Sequence, residues 1–146
     1  MAITQAIANS FKKELLEGEH DFTQTTGDKF KLALYTAGAT LTSATTSYTT
    51  TGEVAASGQY TAGGGALVNG TVSITAGVAR ADFANLSFTG VTLTARGALI
   101  YNTSATATNA AVAVLDFGGD KSATSGTFTI QFPEPTSTAA ILRISG

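Results

Sequence analysis

The sequence has no cysteine and no tryptophan, only two prolines, and a single histidine, His20. Without cysteine, neither disulfides nor thiolate-bound metals are available, so stability depends on packing. Charged residues make up 12% of the 146 residues, about half the usual share, and the net charge is −2. The chain has eight basic and ten acidic residues, so it lacks the excess of positive charge that binds phosphate backbones or anionic membranes. We therefore expect neither nucleic acid nor a membrane as a partner.

Long apolar runs are also missing. No stretch reaches the roughly 18 apolar residues of a membrane span. The opening MAITQAIANSFKKELL lacks the basic start and continuous apolar core of a signal peptide, which predicts synthesis in the cytoplasm. The length favours one domain, 1–146, with a helix over about 3–17 and a sheet region over about 28–145.

The N-terminal segment has an apolar stripe with helical spacing. Ile3, Ile7, Phe11 and Leu15 recur every four residues among Lys, Glu and Gln side chains, and Gly18 can form a left-handed C-terminal cap. Two interpretations are open. The stripe packs against its own domain, which we favour, or it forms an arm that docks on a neighbouring subunit.

From residue 28 onward the apolar period changes to two, which is typical of strands. Turn residues, including those of FGGDKSATSG (117–126), separate the candidates. Both faces of 110–117 and of 139–145 are apolar, which predicts central strands or strands covered by the helix. The pattern predicts a mainly β fold, an antiparallel β-sandwich or jelly roll with one N-terminal amphipathic α-helix. The candidate strands are 30–35, 68–75, 78–83, 91–102, 110–117, 127–132 and 139–145.

Few residues suggest chemistry. His20 lies in EGEHD (17–21), where a metal site is conceivable, but consecutive turn residues rarely converge on one ion, so a solvated helix exit is favoured. DFGGDK (116–121) reads as a turn, and AGGG (62–65) lacks the GK[ST] of a phosphate loop. No GxSxG nucleophile motif is present. We predict no enzyme, and no catalytic, cofactor-binding or metal-ligating residue.

Residues 47–65, SYTTTGEVAASGQYTAGGG, form an unusual stretch. They contain one charge, Glu53, and two large side chains, Tyr48 and Tyr60. The stretch is too poor in apolar bulk for a core and too poor in charge for an ordinary solvated linker. A mobile Ala/Thr-rich surface loop is one interpretation.

Several segments taken together resemble a family of small virion structural proteins of tailed bacteriophages. They are ITQAIANSFKKELLEGEHDF (3–22), DKFKLALYTAGATL (28–41), GEVAASGQYTAGG (52–64), LTARGALIYN (93–102) and AVAVLDFGGDKSATSGTFTIQF (111–132). The resemblance runs over nearly the whole chain and rests on segment order and wording, with no catalytic signature. It implies a non-enzymatic capsid decoration or cement protein on the outer surface of the virion, with the major capsid protein as partner.

The resemblance also gives 47–65 a role, as a loop that lies flat on other protein and takes its order from neighbours. Low charge, strands apolar on both faces and this loop together predict a symmetric homo-oligomer. A trimer is preferred because threefold positions recur across an icosahedral shell, and a dimer is the alternative. A tail-associated or carbohydrate-binding module is the other functional reading. The interface candidates are Ile3, Ile7, Phe11, Leu15, Tyr48 and Tyr60.

Overall fold

The computed structural model describes residues 2–133 and 140–145, which form a mainly β structure of two antiparallel sheets with one short helix. The elements are β1 (Ala6–Ile7), α1 (Asn9–Leu16), β2 (Phe30–Tyr35), β3 (Gly65–Ala66), β4 (Ser73–Thr75), β5 (Val78–Ala81), β6 (Leu86–Asn102), β7 (Ala110–Ile130) and β8 (Leu142–Ile144). The larger sheet has the order β1-β7-β6-β2-β3 and the smaller one β4-β5-β8, in a sandwich-like arrangement that confirms the expected fold class.

A long hairpin of β6 and β7 dominates the larger sheet. Its register runs from Asn102 opposite Ala110 to Leu86 opposite Ile130. The predicted turn at 117–126 is wrong, because the segment lies within β7, where Lys121, Ser122, Ala123 and Gly126 pair with β6 and 117–120 form an unpaired insertion. Its turn-forming residues make bulges instead, since Gly118 and Ser125 have positive φ values of 80° and 46° at register shifts of the ladder.

The helix is shorter than expected. It spans Asn9–Leu16, whereas Ala6–Ile7 pairs with β7 and Ile3 forms an isolated bridge with Leu41. The prediction of helix from residue 3 is therefore wrong. A spacing of four residues also places Ile3 and Ile7 on one face of a strand, and pairing at the open edge of β7 overrides helix propensity.

The C-terminal cap of α1 follows the sequence prediction. Gly18 has a φ of 77°. The Gly18 N–H donates to the Leu15 carbonyl, and the Glu19 N–H donates to the Glu14 carbonyl. This pair of bonds is the Schellman arrangement, which satisfies carbonyls at the end of the helix.

The smaller sheet contains the remaining predicted strands in shortened form. The candidates 68–75, 78–83 and 139–145 reduce to β4, β5 and β8, and residue 139 lies outside the described residues. The expectation of a central position for the last strand is wrong, because β8 pairs only with β5 among the described strands. For 110–117 the expectation is confirmed, since β7 lies between β1 and β6 and contacts α1.

The apolar stripe of α1 packs against its own chain. Phe11 is 4% exposed, with ring centroids 4.7 Å from His20 and 5.9 Å from Phe22. Leu15 is half-buried against the same core, whereas Leu16 is 91% exposed. Phe11 therefore packs within its own domain, which is the first of the two interpretations of the stripe.

We predict that Phe11→Ala lowers the free energy of unfolding by about 3–5 kcal/mol, because it empties a site inside the core. Urea unfolding of the purified variant measures this. Leu16→Ala is the matched control on the same helix and changes stability by less than about 0.5 kcal/mol. Equal stabilities of the two variants would contradict the packing of α1.

Candidate functional site

The loop 47–65 is ordered along the outer edge of β2. The Val54 N–H donates to the Leu34 carbonyl at 2.9 Å, and the backbones of Glu53 and Tyr35 form an isolated antiparallel β-bridge. The Leu34 N–H donates at 2.8 Å to the Tyr60 hydroxyl, which takes the place of a neighbouring strand. The expectation that neighbouring subunits provide the order of this loop is wrong, because its own domain provides it.

Glu53, the only charge in the loop, is the centre of a polar cluster. Its Oε1 accepts from the Tyr48 hydroxyl at 2.6 Å. Its Oε2 accepts from the Tyr60 hydroxyl and from the Gly63 N–H, both at 2.8 Å. One carboxylate therefore ties together three points of the loop, and charge-assisted bonds of this kind are stronger than neutral ones.

The other two tyrosines of the chain complete this arrangement. The Tyr35 hydroxyl donates to the Thr49 carbonyl at 2.6 Å, and the Tyr101 hydroxyl donates to the Gly63 carbonyl at 2.5 Å. The rings of Tyr48 and Tyr101 stack with centroids 4.8 Å apart. All four tyrosines thus hold the loop on the sheet, and we call them together with Glu53 and Gly63 the Glu53 cluster.

The glycines of AGGG (62–65) fit the sheet edge closely. Gly64 has a φ of 84°, and a Cβ atom there would collide with the Leu32 carbonyl oxygen. A residue with a side chain would be strained in this backbone conformation, and its Cβ would prevent this close approach to β2. The sequence reading of these glycines as backbone devices is confirmed at this position.

Burial keeps the phenols of the cluster protonated. Burial, followed by the Glu53 charge, raises the pKa of Tyr101 to about 12. Burial is also the largest cause that raises the pKa of Tyr35, Tyr48 and Tyr60 far above the ordinary value. At neutral pH the four hydroxyls are hydrogen-bond donors, and no phenolate is available as a base or nucleophile. The cluster is suited to holding the loop.

None of the six predicted interface residues is exposed. Ile3, Phe11 and Tyr60 are buried in the core at 8%, 4% and 0% exposure, so they pack within their own domain. Ile7, Leu15 and Tyr48 are half-buried and pack against that core. A large apolar side chain in a sparse segment signals a core anchor as readily as a contact residue, and sequence alone does not separate the two.

The exposed apolar residues lie elsewhere. Among the described residues, five large apolar side chains are 49–91% exposed. Four of these lie on β4, on β8 or on the segment that leads into β4. The sequence analysis assigned these four residues to strands without predicting that their side chains are exposed. The five are Leu16, Val68, Val72, Ile74 and Ile144.

An open groove of about 660 Å³ separates α1 from the smaller sheet. Ile7, Phe11 and Leu15 line one side, and Leu142 and Ile144 are among the residues lining the other. The groove is an apolar recess beside the exposed residues of the smaller sheet.

His20 is buried rather than solvated, so the predicted helix exit in solvent is wrong. Its Nδ1 lies 2.9 Å from Asn102 Nδ2, and its Nε2 lies 2.9 Å from Glu14 Oε1. Asn102 Oδ1 accepts from the Ser104 and Ala105 N–H groups, so its amide group donates to His20. Nδ1 of His20 is therefore an acceptor, and Nε2–H donates to Glu14.

The same amide of Asn102 also donates to Asp28 Oδ2 at 2.7 Å. His20 and Asn102 thus join the segment after α1 to the end of β6, with both ring nitrogens engaged. Within residues 2–133 and 140–145, no three His, Asp or Glu side chains group in a way that could hold a metal ion.

No helix in the described part of the chain is both long enough and apolar enough to cross a membrane. No family model, curated protein or solved structure matches this chain.

We predict that Glu53→Ala lowers the free energy of unfolding by about 1–3 kcal/mol, because the buried Gly63 N–H and two hydroxyls lose their acceptor. Glu53→Gln loses less, since its amide oxygen can still accept from Tyr60 and Gly63. Urea unfolding and limited proteolysis within 47–65 measure both. Asp120→Ala, at an exposed position, is the control. An Ala variant as stable and protease-resistant as the parent would contradict the cluster's role.

We also predict alkaline destabilisation. The phenols titrate near pH 10 when unfolded and at higher pH when folded, so their contribution is complete below about pH 10 and is lost as the pH rises above it. Urea unfolding as a function of pH, with tyrosinate absorbance recorded alongside, checks this. Phenols that ionise near pH 10 in the folded protein would contradict it.

Proposed function

We propose that this chain is a non-enzymatic virion structural protein of a tailed bacteriophage. It binds the outer capsid surface as a homo-oligomer, contacts the major capsid protein and bridges neighbouring capsomers. The five segments between residues 3 and 132 that resemble small phage virion proteins motivate this assignment.

The observation that carries the proposal is the exposed apolar surface of a domain with little charge. Only 12% of the residues are charged. Val68, Val72, Ile74 and Ile144 are 49–70% exposed on or next to the smaller sheet. Exposed apolar patches on otherwise folded domains mark protein interaction sites. An exposed apolar surface with little charge is suited to a protein that stays bound to other proteins.

The ordered loop 47–65 supports the same function. Its exposed residues are Thr, Ser, Ala, Gly and Gln, while the Glu53 cluster holds its backbone on β2. Binding through a surface that is already ordered loses little conformational entropy. Small neutral side chains also let another backbone approach closely. Repeated over many copies, modest contacts of this type produce strong attachment through avidity.

A carbohydrate-binding module at the tail fits the structure less well. Sugar-binding faces usually present exposed aromatic rings as stacking platforms. The chain has eight Phe and four Tyr, and none of these side chains is exposed. The four tyrosines are already engaged in the Glu53 cluster.

An enzyme is also less well supported. A hydrolytic triad would need His20 as its base, but both of its ring nitrogens are within hydrogen-bonding distance of Glu14 and Asn102.

We predict that purified particles of the encoding phage contain this chain at a copy number comparable to that of the major shell protein. Quantitative mass spectrometry of the particles measures the ratio. Particles depleted of the chain lose mechanical or thermal stability and regain it when the purified chain is added back. A handful of copies per particle would overturn the decoration function and favour a tail position.

A further inference from the structure

We propose that two copies of this chain pair through the outer edge of β4, with Ile74 on the twofold axis. The proposal deepens the oligomeric part of the proposed function and rests on it only there, because attachment to a capsid is a separate step. The β4 edge is defined here as residues 72–76.

The backbone N–H and carbonyl of Ile74 point away from β5, toward the open edge of the smaller sheet. β4 and β5 are joined by Ala76 and Gly77, with φ values of 53° and 77°, and Thr75 lies opposite Val78. In a two-residue hairpin of this type, the pair next to the turn exchanges both backbone hydrogen bonds. Ile74, one residue further, lies opposite Ala79. Its N–H and carbonyl therefore face the open side of β4.

Within the part of the chain that the structure describes, the β4 edge lacks the usual protection of an edge strand. β4 is the end strand of the order β4-β5-β8, and residues 71–77, TVSITAG, contain no charged residue and no proline. Natural edge strands that stay monomeric are blunted by charge, proline, bulges or a covering segment. Ile74 is 70% exposed and Val72 is 49% exposed. This edge is built to accept another strand.

The charge pattern selects a second copy as that strand. An antiparallel pair centred on Ile74 places it opposite Ile74 of the partner subunit, and Ser73 then lies opposite Thr75 of the partner subunit. The central cross-strand pair is apolar and the flanking pairs are uncharged, so no like charges lie directly opposite each other. The Arg80 guanidinium, which donates to Thr75 Oγ1 at 2.8 Å, lies on the opposite face of the sheet from Ile74, so the Ile74 face of this edge carries no charge.

Pairing also extends an apolar row that already crosses the smaller sheet. Ile74 lies opposite Ala79, and Ala79 lies opposite Ile144, so the three side chains share one face. Two copies give a six-stranded sheet in which this row continues through the twofold axis. The contact closes after two subunits, which favours a dimer over the trimer preferred on sequence grounds.

Sedimentation velocity of the purified chain at micromolar concentration tests the proposal. We expect a dimer, and we expect Ile74→Lys to raise its dissociation constant by more than about tenfold, because two ammonium groups then meet on the axis. Ile74→Lys keeps the unfolding midpoint of the parent when both are measured below the dimer dissociation constant, since the side chain is exposed in the single subunit. Leu16→Lys makes the same chemical change at a 91% exposed position of α1 and leaves the dimer intact.

A cross-linking measurement gives an independent readout. The chain has no cysteine, so Ile74→Cys introduces a unique thiol. The Cα atoms of a hydrogen-bonded antiparallel pair lie about 5.5 Å apart, within disulfide reach. Oxidation is expected to give a covalent dimer, whereas Leu16→Cys treated in the same way stays largely monomeric.

Three outcomes overturn the proposal: a wild-type monomer, a wild-type trimer, or a dimer that persists unchanged in Ile74→Lys. A monomer whose binding to particles is lost in Ile74→Lys would assign the β4 edge to another virion protein. Because these measurements use the isolated chain, failure of the β4 pairing and failure of capsid attachment are distinguishable.

Discussion

The antiparallel pairing of β6 with β7 is the constraint on which the remaining structure depends. The second half of β6 lies between β7 and β2, and β7 receives β1 on its other edge. Two adjacent residues at the end of β6 then reach opposite faces of the sheet, as the strand period of two requires. Tyr101 contacts the loop 47–65, and Asn102 contacts His20. Loop and helix are both anchored to the same strand end.

These two anchors show how a fold with little charge satisfies its buried polar groups. Glu53 is surrounded by hydroxyl and backbone donors, and no ion pair involving it occurs among the described residues. Asn102 links His20 with Asp28 through its amide. Networks of this type are stable when every member is satisfied and costly when one partner is removed.

The fold class could be predicted because period-two alternation depends only on which faces are buried. The segment 30–35 became β2 with its predicted bounds, and 91–102 lies within β6. Boundaries failed where two structures satisfy the same local signal. Glycine and serine in 117–126 suit a turn as well as a bulge, and only the pairing with β6 chooses between them. Ile3 and Ile7 suit either a helix or a strand, and the open edge of β7 decides.

The sequence by itself determined the β class, the glycine cap of α1 and the backbone role of AGGG, because each depends on local periodicity or on backbone freedom. Only the tertiary structure decided what the sparse side chains do. Tyr60 and Phe11 are core anchors, and Ile74 is on the surface, although all three stand out equally as large side chains. Burial depends on which strands become neighbours across the chain, and a single sequence contains no direct record of that pairing. Glu53 likewise gains its role only when Tyr48, Tyr60 and Gly63 meet around it.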